Sequence, residues 1–318
     1  MKKLVVLDAF SVNSGDFSWD GFSKFVDEIK IYDRTNKDEV FDRIKDASYI
    51  LACKSLITRD IIEKCNNLEY IGSMATGFNH IDVEFCNQKN IVVTNVPDYS
   101  TNAVSELVFA LIFEACRKVS EHNNKVQKGE WINSKDFCFY NDEVFEIANK
   151  TIGILGYGNI GKKVSKIAQA FDMKVLVHTR TKREDTENVK FVSKEELFKN
   201  SDIITLHCPL NDETKEIINK DSISKMKDGV IIVNTGRGPL INEIDLRDAL
   251  KSKKVGYALL DVVSVEPMKK DNPLLNVENC IITPHYGWCP FETRKRLFEI
   301  LMKNLENFVK GNPINVIK

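Results

Sequence analysis

Three ionisable residues stand just past three apolar runs in the second half of the chain. "VIIVNTGRG" presents Arg237, "YALLDVVSVEP" presents Glu266, and "CIITPHYGW" presents His285. Apolar runs of this kind read as buried strands. In parallel α/β sheets ligands bind beyond the carboxyl ends of the strands. Taken singly, Arg237 reads as a surface cation, Glu266 as a turn acid before Pro267, and His285 as a loop histidine with local partners. Together they read as a site. A histidine gives or takes a proton near neutral pH. A carboxylate beside it stabilises the protonated ring and fixes its tautomer. An arginine fork binds a carboxylate and polarises the carbonyl next to it. The set suits reduction of a 2-oxo acid to a 2-hydroxy acid, given a source of hydride.

That source is indicated upstream. "TIGILGYGNIG" places Gly156-x-Gly158-x-x-Gly161 directly after an apolar strand and directly before a helical pattern. In this context the first glycine makes the tight turn, the second lets the backbone approach a pyrophosphate, and the third packs helix on strand. The helix N-terminus offers N–H groups and a positive dipole end to the anion. Thr179 ends the next strand, "MKVLVHT", where an acid would bond the ribose hydroxyls of NAD. Arg180, Lys182 and Arg183 follow in the same turn. A hydroxyl and cations there suit the 2′-phosphate of NADP, so NADP is favoured over NAD. The plainer reading of these cations is a solvated surface turn.

Two alternating series must position these groups. In the first hundred residues, apolar runs at 4–7, 29–32, 48–52, 69–72 and 91–93 alternate with helical spacing at 38–44, 58–65 and 80–88. From Thr151, strands are expected at 151–155, 173–177, 203–206, 230–234, 256–263 and 280–282, with helices between them. This rhythm implies parallel sheets covered by helices on both faces. A long helix is expected in "STNAVSELVFALIFEACRKVSEHNNKVQ", and a last one over 291–309, which could cross back to the first domain. The domains are read as 1–100 with 289–318 for substrate, and 101–288 for the dinucleotide. Between 128 and 150 the chain is irregular and aromatic. It reads as an arm at a subunit interface, with a satellite cluster on its own domain as the alternative.

Composition narrows the class. The 318 residues are 43% hydrophobic and 29% charged, with a formal net charge of -1. That balance gives no field for nucleic acid or an anionic membrane. No apolar stretch approaches membrane-spanning length, and the apolar run before Asp8 is too short for a signal-peptide core. The eight cysteines form no C-x-x-C pair and read as small hydrophobes in a reducing compartment, hence the cytoplasm; no metal site is expected.

At these residues the sequence resembles the D-isomer-specific 2-hydroxyacid dehydrogenases over essentially the whole chain. "GYGNIG", "LHCPL", "NTGRGPLI", "LDVVSVEP" and "ITPHYGW" occur in family order. The resemblance implies an α/β fold of two doubly wound parallel-sheet domains, flavodoxin-like for substrate and Rossmann-like for NAD(P), with the active site in the cleft between them and usually a homodimer. It implies Arg237 for substrate and Glu266 with His285 for proton transfer. It implies cofactor contacts from Val104, Gly156, Gly158, Asn159, Ile160, Gly161, Thr179, Arg180, Cys208, Pro209, Thr235, Gly236, Arg237, Asp261, His285 and Gly287. Ala75, Thr76 and Gly77 match the family loop whose backbone amides hold the substrate carboxylate. Within the family, "HNNKVQKGEW", "DFCF" and Trp288 in "HYGW" are similar to bacterial glycerate dehydrogenases, also called hydroxypyruvate reductases. Thr179 departs from the usual acid, and Tyr286 stands where a smaller or aliphatic residue is common. Other readings are a reductase of glyoxylate or another short 2-oxo acid, and a non-catalytic, nucleotide-sensing binding protein. Formate oxidation is disfavoured, because Gln is expected in place of Glu266 there.

Overall fold

The computed structural model describes residues 1–140, 144–181 and 183–318. Asn141, Asp142 and Glu143 of the expected arm, and Lys182 of the expected cationic turn, lie outside the described residues. The chain divides into two compact units, Met1–Ser100 with Trp288–Lys318, and Thr101–Gly287.

The first unit holds strands β1 (Lys3–Val6), β2 (Glu28–Ile31), β3 (Tyr49–Ala52), β4 (Tyr70–Ser73) and β5 (Val92–Thr94), with helices α1 (Val40–Ile44), α2 (Arg59–Ile62) and α3 (Val83–Gln88). The strands pair in the order β2-β1-β3-β4-β5, all parallel. Central strands β3 and β4 are buried along their full length, as expected where both sheet faces are covered. Alternate side chains serve opposite faces. Val5, Ile50 and Ile71 join one core, and Leu4, Leu51 and Tyr70 the other. The second core is closed by the C-terminal helix Phe291–Val309, through Leu297, Phe298, Leu301 and Leu305. Trp288 packs on the same cluster. Burial of each such large apolar side chain contributes about 1.5–3 kcal/mol.

The second unit begins with α4 (Thr101–Arg117) and α5 (Val119–Gln127). A single helix was expected here. The chain instead turns at Lys118, whose φ is 48°. The physical reason is the loss of an apolar stripe: α4 buries ten residues as far as Cys116, whereas α5 buries none. Strands β6 (Thr151–Leu155), β7 (Lys174–His178), β8 (Val189–Phe191), β9 (Ile203–Leu206), β10 (Val230–Asn234), β11 (Val255–Leu260) and β12 (Cys280–Ile282) follow. Helices α6 (Asn159–Ala170), α7 (Lys194–Asn200), α8 (Lys220–Ser224) and α9 (Glu243–Lys251) lie between them. The order β12-β11-β10-β9-β6-β7-β8 is doubly wound, with its switch between β6 and β9.

Two differences from the sequence reading matter. Strand β8 was not expected, because "VKF" is too short and too polar at its centre to show a period. The strand expected over 256–263 stops at Leu260, because Asp261 turns its carboxylate to hold the next loop. Ile203, Ile231, Val233 and Leu259 fill one face of this sheet, and Ile204, Ile232, Ala258 and Leu260 the other. Among the described residues no helix is long and apolar enough to cross a membrane.

Candidate active site

Each ionisable group sits where a strand of the second sheet ends, and each is braced by backbone. Asn234 closes β10 and staples the turn after it. Its Oδ1 accepts from Gly236 N at 3.0 Å, and its Nδ2 donates to the Arg237 carbonyl at 2.8 Å. Arg237 is exposed; its Nη1 donates to the Gly236 carbonyl at 2.8 Å. Gly238 lies so close to the Val263–Ser264 backbone that a Cβ would overlap it, which locks the arginine turn against the loop after β11. In that loop Glu266 Oε1 accepts from Val263 N at 3.1 Å.

The histidine loop is held by a buried acid. Asp261, 2% exposed, accepts from Thr283 Oγ1 at 2.6 Å, Tyr286 N at 3.0 Å and Gly287 N at 2.9 Å. This grip keeps His285 at φ 53°, a left-handed conformation that costs a non-glycine residue on the order of 1 kcal/mol. His285 Nδ1–H donates to Glu266 Oε2 at 2.6 Å. Burial raises the Glu266 carboxyl, but the bond and charge of His285, the Val263 N–H and the charge of Arg237 together bring it below its ordinary value. The carboxylate therefore stays ionised beside the imidazole, and Arg237, Glu266 and His285 form one electrostatic group.

The glycine loop follows β6. Gly156 has φ 96°, and a Cβ there would meet the backbone of His207 and Cys208. A Cβ on Gly161 would meet the Gly156 carbonyl. A Cβ on Gly158 would meet none of the described residues within 4 Å, so the chain keeps a bare backbone there. The N-cap of α6 is Gly158, which has no side chain to cap it, and no acid occupies the first turn, which suits the positive helix end to an anion. Thr235 is 9% exposed, and its hydroxyl is buried without a partner among the described residues. An open glycine cradle, a glycine N-cap and a buried hydroxyl unpartnered among the described residues fit a dinucleotide. Gly287 approaches Val104 and Asp261, so three of the expected contacts lie together, and Leu107 packs beside them. Asp261 spends its carboxylate on the histidine loop, a bracing role that the sequence did not disclose. Thr179 is half-buried and Arg180 exposed. Cys208 is half-buried, and burial pushes its thiol up to about 11.

In the first unit, Ala75, Thr76 and Gly77 form a turn after β4 whose carbonyls are all engaged. They accept from Val96 N at 3.0 Å, Asn95 Nδ2 at 2.7 Å and Ser73 Oγ at 2.8 Å, respectively. Their amides donate to none of the described residues. Sequence reading missed Asn234, Gly238 and Thr283. Asn at a strand end bonds the backbone two residues on and is itself a turn signal, which could have found the first; the other two act through contacts distant in sequence. Among the described residues no group of His, Cys, Asp or Glu could hold a metal ion.

Residues 109–287 match the D-isomer specific 2-hydroxyacid dehydrogenase, NAD binding domain family. The chain is 48% identical over 320 residues to the hydroxypyruvate reductase of Blautia hydrogenotrophica, covering 99% of each chain. It is 35% identical over 320 residues to the glycerate dehydrogenase of Methylorubrum extorquens, covering 100% of this chain and 99% of that one. Among solved structures it is similar to an acyclic imino acid reductase in complex with NADPH and D-Arg, with TM-score 0.86 and 32% identity over 99% of this chain and 100% of that one. Two parallel sheets and a dinucleotide loop define a nicotinamide-dependent oxidoreductase. The chain belongs to the D-isomer specific 2-hydroxyacid dehydrogenases.

Proposed function

We propose that the protein reduces hydroxypyruvate to D-glycerate, and catalyses the reverse oxidation, with NADPH preferred over NADH. The observation that carries this reading is the 2.6 Å bond between His285 Nδ1 and Glu266 Oε2, with the charge of Arg237 acting on the same carboxylate. The nicotinamide, when bound, supplies the hydride. Arg237 binds the substrate carboxylate with its planar fork and polarises the neighbouring carbonyl. The protonated imidazole of His285 gives its proton to the carbonyl oxygen, and in the reverse direction takes it from the hydroxyl. Glu266 accepts the Nδ1–H and so fixes which ring nitrogen exchanges the proton. The amides of Ala75, Thr76 and Gly77 offer further donors to a carboxylate. The glycine cradle, with Val104, Asn159, Ile160, Cys208, Pro209, Thr235, Gly236 and Gly287, holds the dinucleotide.

Hydroxypyruvate is chosen on the 48% identical relative of that name. NADPH is chosen on Thr179 and Arg180, and is supported by a 32% identical relative bound to NADPH. Trp131, Ile132, Phe137 and Tyr140 are 52%, 86%, 89% and 73% exposed, and we assign this aromatic arm to a homodimer interface. All eight cysteines are free thiols, in keeping with a cytoplasmic location. A matrix of initial rates tests the reading: hydroxypyruvate, glyoxylate and pyruvate against NADH and NADPH. Hydroxypyruvate with NADPH is expected to give the highest kcat/KM, and Thr179→Asp is expected to move the preference towards NADH. A higher kcat/KM with NADH in the wild type overturns the cofactor choice. A higher kcat/KM with glyoxylate overturns the substrate, and absence of turnover returns the chain to nucleotide sensing.

A further inference from the structure

The glycine loop carries an aromatic residue that the dinucleotide cradle does not require. Tyr157 stands between Gly156 and Gly158, half-buried, and its ring meets Phe191 edge-on at 5.2 Å and 87°. Phe191 ends β8 and is in register with Val177 of β7. The turn between these strands bears Arg183, whose guanidinium lies over the Tyr157 ring at 5.7 Å from its centroid. The turn is tied back to β8. Thr186 N donates to Val189 O at 2.9 Å, and Asp185 Oδ1 accepts from Phe191 N at 2.7 Å. Asp185 thus commits one of the turn's carboxylate oxygens to backbone. Among the described residues neither Arg180 nor Arg183 forms an ion pair. An exposed arginine normally samples many rotamers. This one is restrained by an anchored turn and by attraction to a ring whose own position is set by the sheet.

We infer that Tyr157 and Arg183 act as one cofactor-selecting pair, in which the ring carries the guanidinium beside the cradle to receive the 2′-phosphate of a 2′-phosphorylated adenosine. The inference rests on the NADPH reading above and assigns the discrimination to residues beyond Thr179 and Arg180. A guanidinium binds phosphate through charge-assisted, bidentate bonds, and pre-positioning reduces the rotamer freedom lost on binding. The role of Tyr157 is positioning, through its ring face and not its hydroxyl.

Isothermal titration calorimetry with 2′,5′-ADP and ADP as probes tests this without turnover. The wild type is expected to bind 2′,5′-ADP at least about tenfold tighter than ADP. Arg183→Ala and Tyr157→Ala are expected to lose most of that preference, with ADP affinity shifting by less than about twofold. Tyr157→Phe, which keeps the ring, is expected to retain it. A wild type that does not distinguish the probes overturns both the NADPH reading and the pair. A wild-type preference that survives Arg183→Ala overturns the pair while leaving the NADPH reading intact. Loss in Arg183→Ala but not in Tyr157→Ala overturns the carrier role of the ring.

Discussion

His207 and His285 occupy equivalent places in one sheet, each just beyond the carboxyl end of a parallel strand, yet their surroundings give them opposite chemistry. His207 follows β9 and is half-buried; its Nε2 bonds the Thr205 hydroxyl at 2.9 Å, and no acid faces it among the described residues. Burial pushes its imidazole down to about 4, so it stays neutral. Its backbone packs against Gly156, where it shapes the floor of the glycine loop. His285 follows β12, is 41% exposed, and shares a 2.6 Å bond with an ionised carboxylate. Position at a strand end thus makes a histidine available. An acid partner and solvent access suit it to the proton transfer proposed above, whereas burial without a counter-charge suits it to a spacer.

Three substitutions press on this contrast. The largest effect is expected at His285. His285→Gln removes the proton and should lower kcat by about 10²–10⁴-fold. Calorimetric affinity for ADP should be retained. A near-normal kcat would dissolve the distinction between the two histidines. Glu266→Gln keeps a hydrogen-bond acceptor but removes the charge. It should cost about 10–100-fold in kcat, and an unchanged rate would assign the effect of Glu266 to shape alone.

The smallest effect belongs to His207 and appears in stability. Folded His207 titrates near 4, well below the ordinary histidine value of 6.5. Between these values the unfolded chain binds a proton that the folded chain does not, so stability falls as the pH drops. No stability is lost to this group above about pH 6.5, and the loss grows to about 1–2 kcal/mol by pH 4, after allowance for partial exposure. Urea unfolding at a series of pH values should show this slope in the wild type and a flatter one in His207→Gln. An identical slope would mean that His207 is solvated like an exposed histidine.

The sequence disclosed most of what depends on local pattern. Buried strands in parallel sheets are continuous apolar runs, so the elements bearing Arg237, Glu266 and His285 were visible. The glycine spacing between a strand and a helix carries its own context. Hidden were the features made by residues distant in sequence. The bracing role of Asp261 was hidden because its grip on Thr283, Tyr286 and Gly287 spans more than twenty residues of chain. Strand β8 is too short to show a period, and with it the support of Tyr157 by Phe191 was invisible. The break at Lys118 was missed because the residues after it keep helical propensity while losing their apolar face.

The grip of Asp261 has a bearing on how such an enzyme can diverge. It holds Tyr286 through the backbone N–H, not through the ring, and the tyrosine side chain remains 42% exposed next to His285 in the chain. The loop's architecture is therefore indifferent to which side chain position 286 carries. A substitution at 286 is therefore expected to leave the conformation of the histidine loop in place, so that the side chain offered beside His285 can vary while its backbone support does not.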